Sequence, residues 1–395
     1  MYTAPKLIEL LEQQQQKRGR SDLFKQGKLT IQWRAKVGSS LSPDLETMIS
    51  AAEPYGAWRP QAGCPTNLSR PEDKRNVGDN WNYFRELPLV GYLPASGIRG
   101  LVRSWVLAQK DLELQRKMEE LLGVQQNDTI TTGKIAFLDA YPAEPTKVTL
   151  DIVNPQESFQ VFHQGQSTPL SFYTLGNGAE KISLTVAIKG IRDRATPEDV
   201  ETVWNWLQQA LSLYGVGSRT ASGYGSLKPA TKISTQLEPG YKKKTFDFTL
   251  YTQGCAGADM KTMELRPSHW RGWLRSWVLR FLLGVMSKDD AQKTVGELFG
   301  TIEPEAVQGC VRLRMIQGKT WGEKSDKQPI FYTSKGKLEI SAPRDILNKI
   351  ILPIVKFAVT VGGVGRGWRR PLHIFKMNNG QAAARGTHLR PLVTS

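Results

Sequence analysis

Apolar and polar residues alternate along KLTIQWRAKV (28–37), ISLTVAIKGI (182–191) and TFDFTLYTQ (245–253). That period of two predicts half-buried β-strands. Between the first two, the spacing changes. In ASGIRGLVRSWVL (95–107), Ile98, Leu101, Val102, Trp105 and Val106 fall at i, i+3, i+4, i+7 and i+8, which predicts a helix with one buried face. Two further helical stretches, PEDVETVWNWLQQALSLYG (197–215) and RDILNKIILPIVKFAVTVGG (344–363), each follow a predicted strand, the second being KLEISAP (337–343). Residues 38–91 show neither period and are rich in Pro, Gly, Asn and charge, so a long polar insertion is expected there. The first 27 residues, with LIELLEQQQQ, predict a helical leader.

The pattern occurs twice. ASGIRGLVRSWVL (95–107) and PSHWRGWLRSWVL (267–279) are identical at eight of thirteen positions, in the frame S-x-x-R-G-x-x-R-S-W-V-L. Each copy is followed by a helix end, EELLG (119–123) or GELFG (296–300), then by GKIAFLDA (133–140) or GCVRLRM (309–315). Each closes on a glycine-rich basic turn, GVGSRTASGYGS (215–226) or GGVGRGWRR (362–370). Repeats in one order imply two homologous units. The stretch PATKISTQLEPGYKKKT (229–245) has the Pro, Gly and lysine content of a linker. The expected division is a leader over 1–27, a first domain over 28–235 and a second over 236–395. Strand, insertion, helix, strand, strand, helix and glycine turn describe an α+β unit of ferredoxin-like type, here in tandem.

Composition narrows the partner. A net charge of +16 and a pI near 9.7 over 395 residues point to a polyanion. The opening MYTAPKLIELLEQQQQKRGR has no apolar core before a cleavage site, so no secretory signal is expected. The most apolar helical stretch, Trp277 to Met286, is short and interrupted by Arg280, which excludes a membrane span there. Cys64, Cys255 and Cys310 form no C-x-x-C pair, and His163, His269, His373 and His388 lack metal-ligand spacing, so a reducing cytoplasm and no structural zinc are expected.

Two sets of residues carry candidate chemistry. Ser96 and Ser268 stand where helix N-caps would, and Arg99 with Arg103, like Arg271 with Arg275, are spaced i, i+4. Paired guanidiniums near a helix N-terminus suit phosphates, and Gly100 and Gly272 would let a nucleic-acid backbone approach. The competing reading is an ordinary amphipathic helix with solvated arginines. The glycine turns lack the order of a nucleotide-triphosphate loop or a dinucleotide fingerprint. Gly215 also suits a helix C-cap, but Gly215, Gly217, Gly363 and Gly365, interleaved with Arg219, Arg366, Arg369 and Arg370, suit backbone contacts to RNA phosphates.

GYLPASGIRGLVRSW (91–105) with LYGVGSRTASGYGS (213–226) resembles the RAMP superfamily of CRISPR-associated RNA-binding proteins, and LRPSHWRGWLRSW, ELFG and GGVGRGWRRPLH resemble it again. DIVNPQESFQVFH (151–163) is similar to a RAMP subunit of type III effectors. The resemblance spans roughly residues 28–376. It implies RRM-type ferredoxin-like domains, CRISPR RNA bound along a basic face, target RNA positioned by base pairing, and stacking with other type III effector subunits. Two units on one chain resemble a fused, type III-D-like backbone subunit. In catalytic relatives an aspartate precedes the Ser-x-x-Arg-Gly helix; here that implies Asp79, with Asp44 as second choice. Such a carboxylate would work with a divalent metal ion, Mg2+ or Mn2+, and no organic cofactor. Asp259 sits in a much shorter loop of the second copy, which departs from the catalytic pattern.

Two alternatives stay open at this level: a purely architectural RNA-binding subunit, and a processing ribonuclease on precursor RNA. The second needs a histidine or lysine constellation, and His163 stands without an evident partner. Trp58, Trp81, Tyr83 and Phe84 in the insertion would either stack on bases or form a small core under the loop.

Overall fold

The computed structural model describes residues 4–17, 21–36, 86–90, 92–126, 129–143, 147–153, 162, 170–178, 180–228, 237–252, 264–301, 305–321, 331–361, 363–364 and 371–393. The first half runs α1 (Ala4–Lys17), β1 (Phe24–Ile31), β2 (Glu86–Val90), α2 (Ala95–Ala108), α3 (Leu112–Leu122), the hairpin β3 (Val124–Gln126) and β4 (Thr129–Thr131), β5 (Ile135–Phe137), β6 (Lys147–Val153), β7 (Leu170–Leu175), β8 (Ile182–Gly190) and α4 (Pro197–Tyr214). The second half runs β9 (Tyr241–Thr252), α5 (Pro267–Leu282), α6 (Lys288–Phe299), β10 (Arg312–Trp321), β11 (Tyr332–Pro343), a helical segment ending in α7 (Leu352–Val361), the hairpin β12 (His373–Lys376) and β13 (Ala382–Arg385), and β14 (Thr387–Val393).

The main antiparallel sheets share one order. In the first half it is β5-β8-β1, continued past β1 by a bridge from Ile31 to Leu227; in the second it is β10-β11-β9-β14. A separate sheet, β2-β6-β7, lies in the first half. The predicted first strand is displaced: β1 starts at Phe24, inside the expected leader, and ends at Ile31. The lysine run expected in a linker, Lys242 to Lys244, lies in β9 opposite Ile340, Ser341 and Ala342 of β11. A strand ladder is formed by backbone groups, so exposed lysines do not oppose it.

Local chemistry fixes the helices. Thr196 and Asp199 close a capping box on α4, with Pro197 in its first turn, and Asp111 and Ser287 cap α3 and α6. The predicted face of α2 is buried at Ile98, Val102, Trp105 and Val106, with Leu101 packed at its margin. Each half has its own core. Ile31, Leu121, Leu184 and Leu207 centre the first, and Leu250, Leu274, Val278 and Ile340 the second.

The halves are joined by buried charge. Arg34, just after β1, donates from Nη2 to Glu264 Oε1 at 2.7 Å and from Nη1 to Thr174 Oγ1 at 2.9 Å. Arg266 donates to Asp151 Oδ1 at 2.7 Å and to Glu264 Oε2 at 3.1 Å. The Tyr224 hydroxyl donates to Asp151 Oδ2 at 2.5 Å, and Trp33 Nε1 to Glu264 Oε2 at 2.9 Å. None of Arg34, Asp151, Glu264 and Arg266 is more than 3% exposed. Burial alone would raise the Asp151 carboxyl, but the charges of Arg266 and Arg34 and the Tyr224 hydroxyl hold it below the usual carboxylate range. Burial and the adjacent carboxylate push the Tyr224 phenol well up, so the pair is Tyr–OH and Asp⁻.

Candidate nucleic-acid interface

The first correction concerns the serines. α2 begins at Ala95 with Pro94 as its N-cap, and α5 begins at Pro267 with Arg266 as its N-cap, so Ser96 and Ser268 each lie one position inside the helix and cap nothing. The cap of α2 comes from elsewhere: Ala95 N donates to Asp139 Oδ1 at 2.7 Å. A carboxylate just past β5 thus does what a local serine was expected to do.

The arginine pairs divide by role. Arg103 Nη1 donates to Gly123 O at 2.6 Å, and Arg275 Nη1 donates to Gly300 O at 2.7 Å. Gly123 and Gly300 are the C-caps of α3 and α6, with φ of +80° and +85°. The second arginine of each motif therefore ties down the orphan carbonyl end of the next helix. Its first duty is internal. Arg99, by contrast, is exposed, and its neighbours Gly97 and Gly100 have nothing within 4 Å of where a Cβ would stand. Gly272 is equally open, but Arg271 is half-buried, donating to Ala221 O at 3.1 Å with its guanidinium 5.8 Å from the Phe299 ring.

The glycine turn between α4 and Leu227 is shaped mainly by its own packing. Gly215 caps α4 with φ +79°, and a Cβ on it would stand 2.5 Å from Gly225 O. Gly223 presses on Pro267 of α5 and also has positive φ. Gly363 is buried against Thr387. For Gly215 and Gly363 the approaching backbone or side chain is the protein's own, which corrects the expectation that they open a path to RNA. Gly217 is exposed with φ +78°, and Arg219 is exposed in the left-handed region at φ 56°. Gly365, Arg366, Arg369, Arg370, Asp79, Asp44, Asp259, His163, Trp58, Trp81, Tyr83 and Phe84 lie outside the described residues. Among the described residues no group of three or more His, Cys, Asp or Glu could hold a metal, and no helix is long and apolar enough to cross a membrane.

The halves meet again around a cleft of 460 Å3. The glycine turn and the end of α4 form one wall, and α5, the α6–β10 connection and β10 form the other. Five arginines line it (Arg219, Arg271, Arg275, Arg312 and Arg314), and no carboxylate does among the described lining residues. Arg312 lies between Tyr214 and Tyr241, 4.9 and 5.2 Å from their ring centres, and donates to Glu238 Oε1 at 2.5 Å. Tyr214 also donates to Glu238 Oε1, at 2.7 Å; burial and that carboxylate raise its phenol pKa. Arg314 donates to Ser212 O at 2.5 Å and lies 3.0 Å from Glu339. Sequence reasoning missed Arg312 and Arg314, although a signal was present. In VRLRM (311–315) they alternate with Val311, Leu313 and Met315, placing two charges on the strand face opposite the core.

The described residues form a mixed α+β protein whose main antiparallel sheets share one strand order, with an arginine-lined cleft between them. The sequence model of the RAMP superfamily matches residues 76–228, from the insertion through the glycine turn. Over that span, the chain is similar to the RAMP superfamily. No curated protein sequence matches it. Similar solved structures include the type III-B Cmr-beta complex bound to cognate target RNA, with 17% identity, a TM-score of 0.34, and coverage of 58% of this chain and 66% of that one. Cmr6 from Pyrococcus furiosus gives 20% identity and a TM-score of 0.28, covering 53% of this chain and 98% of that one. A type IV-B CRISPR complex gives 13% identity and a TM-score of 0.30, covering 54% and 94%. The chain thus spans just under two thirds of the first of these.

Proposed function

We propose that this chain is the RNA-binding backbone subunit of a type III CRISPR effector complex, carrying two ferredoxin-like units in tandem as in a III-D-like fusion. It holds the CRISPR RNA by its phosphates and positions target RNA alongside other effector subunits in the cytoplasm. Base pairing supplies the sequence specificity, and the protein reads backbone shape. The RAMP match and the duplicated helix support this reading. The observation that carries it is the outer face of α2. Gly97 and Gly100 sit in a helix with no neighbour that needs them small, beside exposed Ser96 and Arg99. Each helical glycine costs about 1 kcal/mol relative to alanine. Nothing inside the described fold offsets that cost; a closely approaching phosphate backbone would.

Cleavage of the guide-paired target is assigned to Asp79, with Asp44 as second choice. A divalent ion, Mg2+ or Mn2+, held there would stabilise charge as the 2′-hydroxyl attacks.

The test is filter binding of single-stranded RNA over a salt series. Arg99→Ala is expected to weaken binding and to reduce the slope of log K against log salt by ~0.7, the loss of one phosphate contact. Its melting temperature should stay at the wild-type value. An unchanged slope removes α2 from the interface.

A further inference from the structure

The outer face of the second sheet is unlike that of the first. In the first half Gly27, Leu29 and Ile31 of β1 face the core, and Gln26 on the opposite face donates to Glu12 Oε2 of α1 at 2.6 Å, so the leading helix meets that face. In the second half Phe248 and Leu250 of β9 face the core, and Tyr251 faces away from it. The end of α4 meets the β10 margin of this outer face, where Arg314 donates to Ser212 O. At the far end Tyr251 lies directly between Thr333 of β11 and exposed His388 of β14. The Tyr251 and His388 ring centres are 6.0 Å apart with their planes 29° apart, and the Phe331 ring meets Tyr251 edge-on at 6.1 Å. One row along the strands, Thr249 is flanked by Lys335 and Arg390, both exposed and on the same face as Tyr251. The carboxylates of the face are already engaged. Asp247 pairs with Lys337 at 3.7 Å, and Glu339 with Arg314 at 3.0 Å and Lys243 at 3.8 Å.

We propose that this end of the second sheet is a stacking platform for the bases of single-stranded RNA, with Lys335 and Arg390 receiving the adjoining phosphates. The proposal rests on the RNA-binding function proposed above and adds a place where bases are held, using neither the duplicated helix nor the glycine turns. Tyr251 and His388 present ring faces that any base can cover, whatever its sequence. They stand on paired strands, whose backbone bonds fix their spacing before a base arrives, so little ordering is left to oppose binding. The cations lie in the next row, and the acids of the face are paired with other side chains, so the patch attracts a polyanion. A second copy docked face to face would set Lys335 and Arg390 of one copy against those of the other, which disfavours self-association here.

The experiment uses the full chain and two fluorescein-labelled RNA strands of equal length followed by anisotropy, one with unpaired bases and one abasic. The abasic strand keeps every phosphate and offers nothing to stack. Tyr251→Ala and His388→Ala should each weaken binding of the base-bearing strand about tenfold, the loss of one stacked base, and leave the abasic strand and the salt slope at wild-type values. Tyr251→Phe keeps the ring and should bind as wild type does. Arg390→Ala should weaken both strands and lower the slope of log K against log salt by ~0.7. His388 is exposed, so its removal leaves the core intact, and the melting temperature of each variant is checked alongside. If both alanine variants bind the base-bearing strand as tightly as wild type, there is no platform; an Arg99→Ala defect would then still uphold the RNA-binding function. Equal losses on the two strands also overturn the proposal, because the contact is then with the RNA backbone. Variants that bind RNA normally but elute from a sizing column as a smaller species than wild type make the face a protein contact and overturn it too. A wild-type chain that binds neither strand overturns the platform and the function together.

Discussion

Replacing Arg266 by methionine should loosen the whole molecule, because Arg266 contacts both buried carboxylates of the joint through separate nitrogens. Glu264 would keep Arg34 and Trp33. Asp151 would keep its bond from Tyr224 and the charge of Arg34, yet it is fully buried. Removing one partner of a buried ion pair costs about 3–5 kcal/mol, most of it the stranded charge. Spread over a half of this size, that lowers the melting temperature by on the order of 10 °C. The pH dependence gives a sharper test. In the wild type the folded pKa of Asp151 is depressed, so its contribution is fully present above the unfolded value of about 3.9 and is lost as pH falls through the folded value. In Arg266→Met, burial dominates and the folded pKa rises above the unfolded one. The neutral carboxyl is then favoured by folding, so the variant regains stability as pH is lowered toward about 4. Calorimetric melts from neutral to acid pH should therefore show the gap between the two proteins shrinking on acidification. A gap that is constant with pH, or a loss below about 1 kcal/mol, would refute the idea that a stranded Asp151 charge is what the substitution exposes.

Arg103→Ala and Arg275→Ala should each cost about 1–3 kcal/mol in urea unfolding, since each strips a charged donor from a helix-end carbonyl. Similar losses in the two halves are expected, and a stability-neutral result at either site would return that arginine to the phosphate-binding set. Asp79→Ala should abolish one metal-dependent cut in end-labelled, guide-paired target RNA without weakening target binding, whereas Asp259→Ala should leave the ladder intact. If Asp79→Ala yields every wild-type band, Asp44 is tested next, and a full ladder from both variants makes the subunit architectural.

Much of this was legible in the chain. The 3.6 period of Ile98, Val102, Trp105 and Val106 named the buried face of α2, and the duplicated S-x-x-R-G-x-x-R-S-W-V-L frame is itself a property of the chain. The buried face follows from local rules: backbone hydrogen bonds set the period, and apolar residues must share a face to leave water. The roles of single polar residues were less legible. Ser96 looked like a cap, but the group that caps Ala95 is Asp139, 44 residues away. Arg103 looked like a phosphate ligand, but it closes the end of α3.

The sequence by itself determined the α+β class, the repeat and the basic surface, because periodicity and net charge are properties of the chain that no packing can undo. Only the tertiary structure decided which charges are spent internally. Arg34, Asp151, Glu264 and Arg266 are scattered over more than two hundred positions, yet they meet in one dry network between the halves. A charge's environment is set by what folds against it, and in a medium of low dielectric that environment decides whether an arginine is a ligand for RNA or a bolt in the fold.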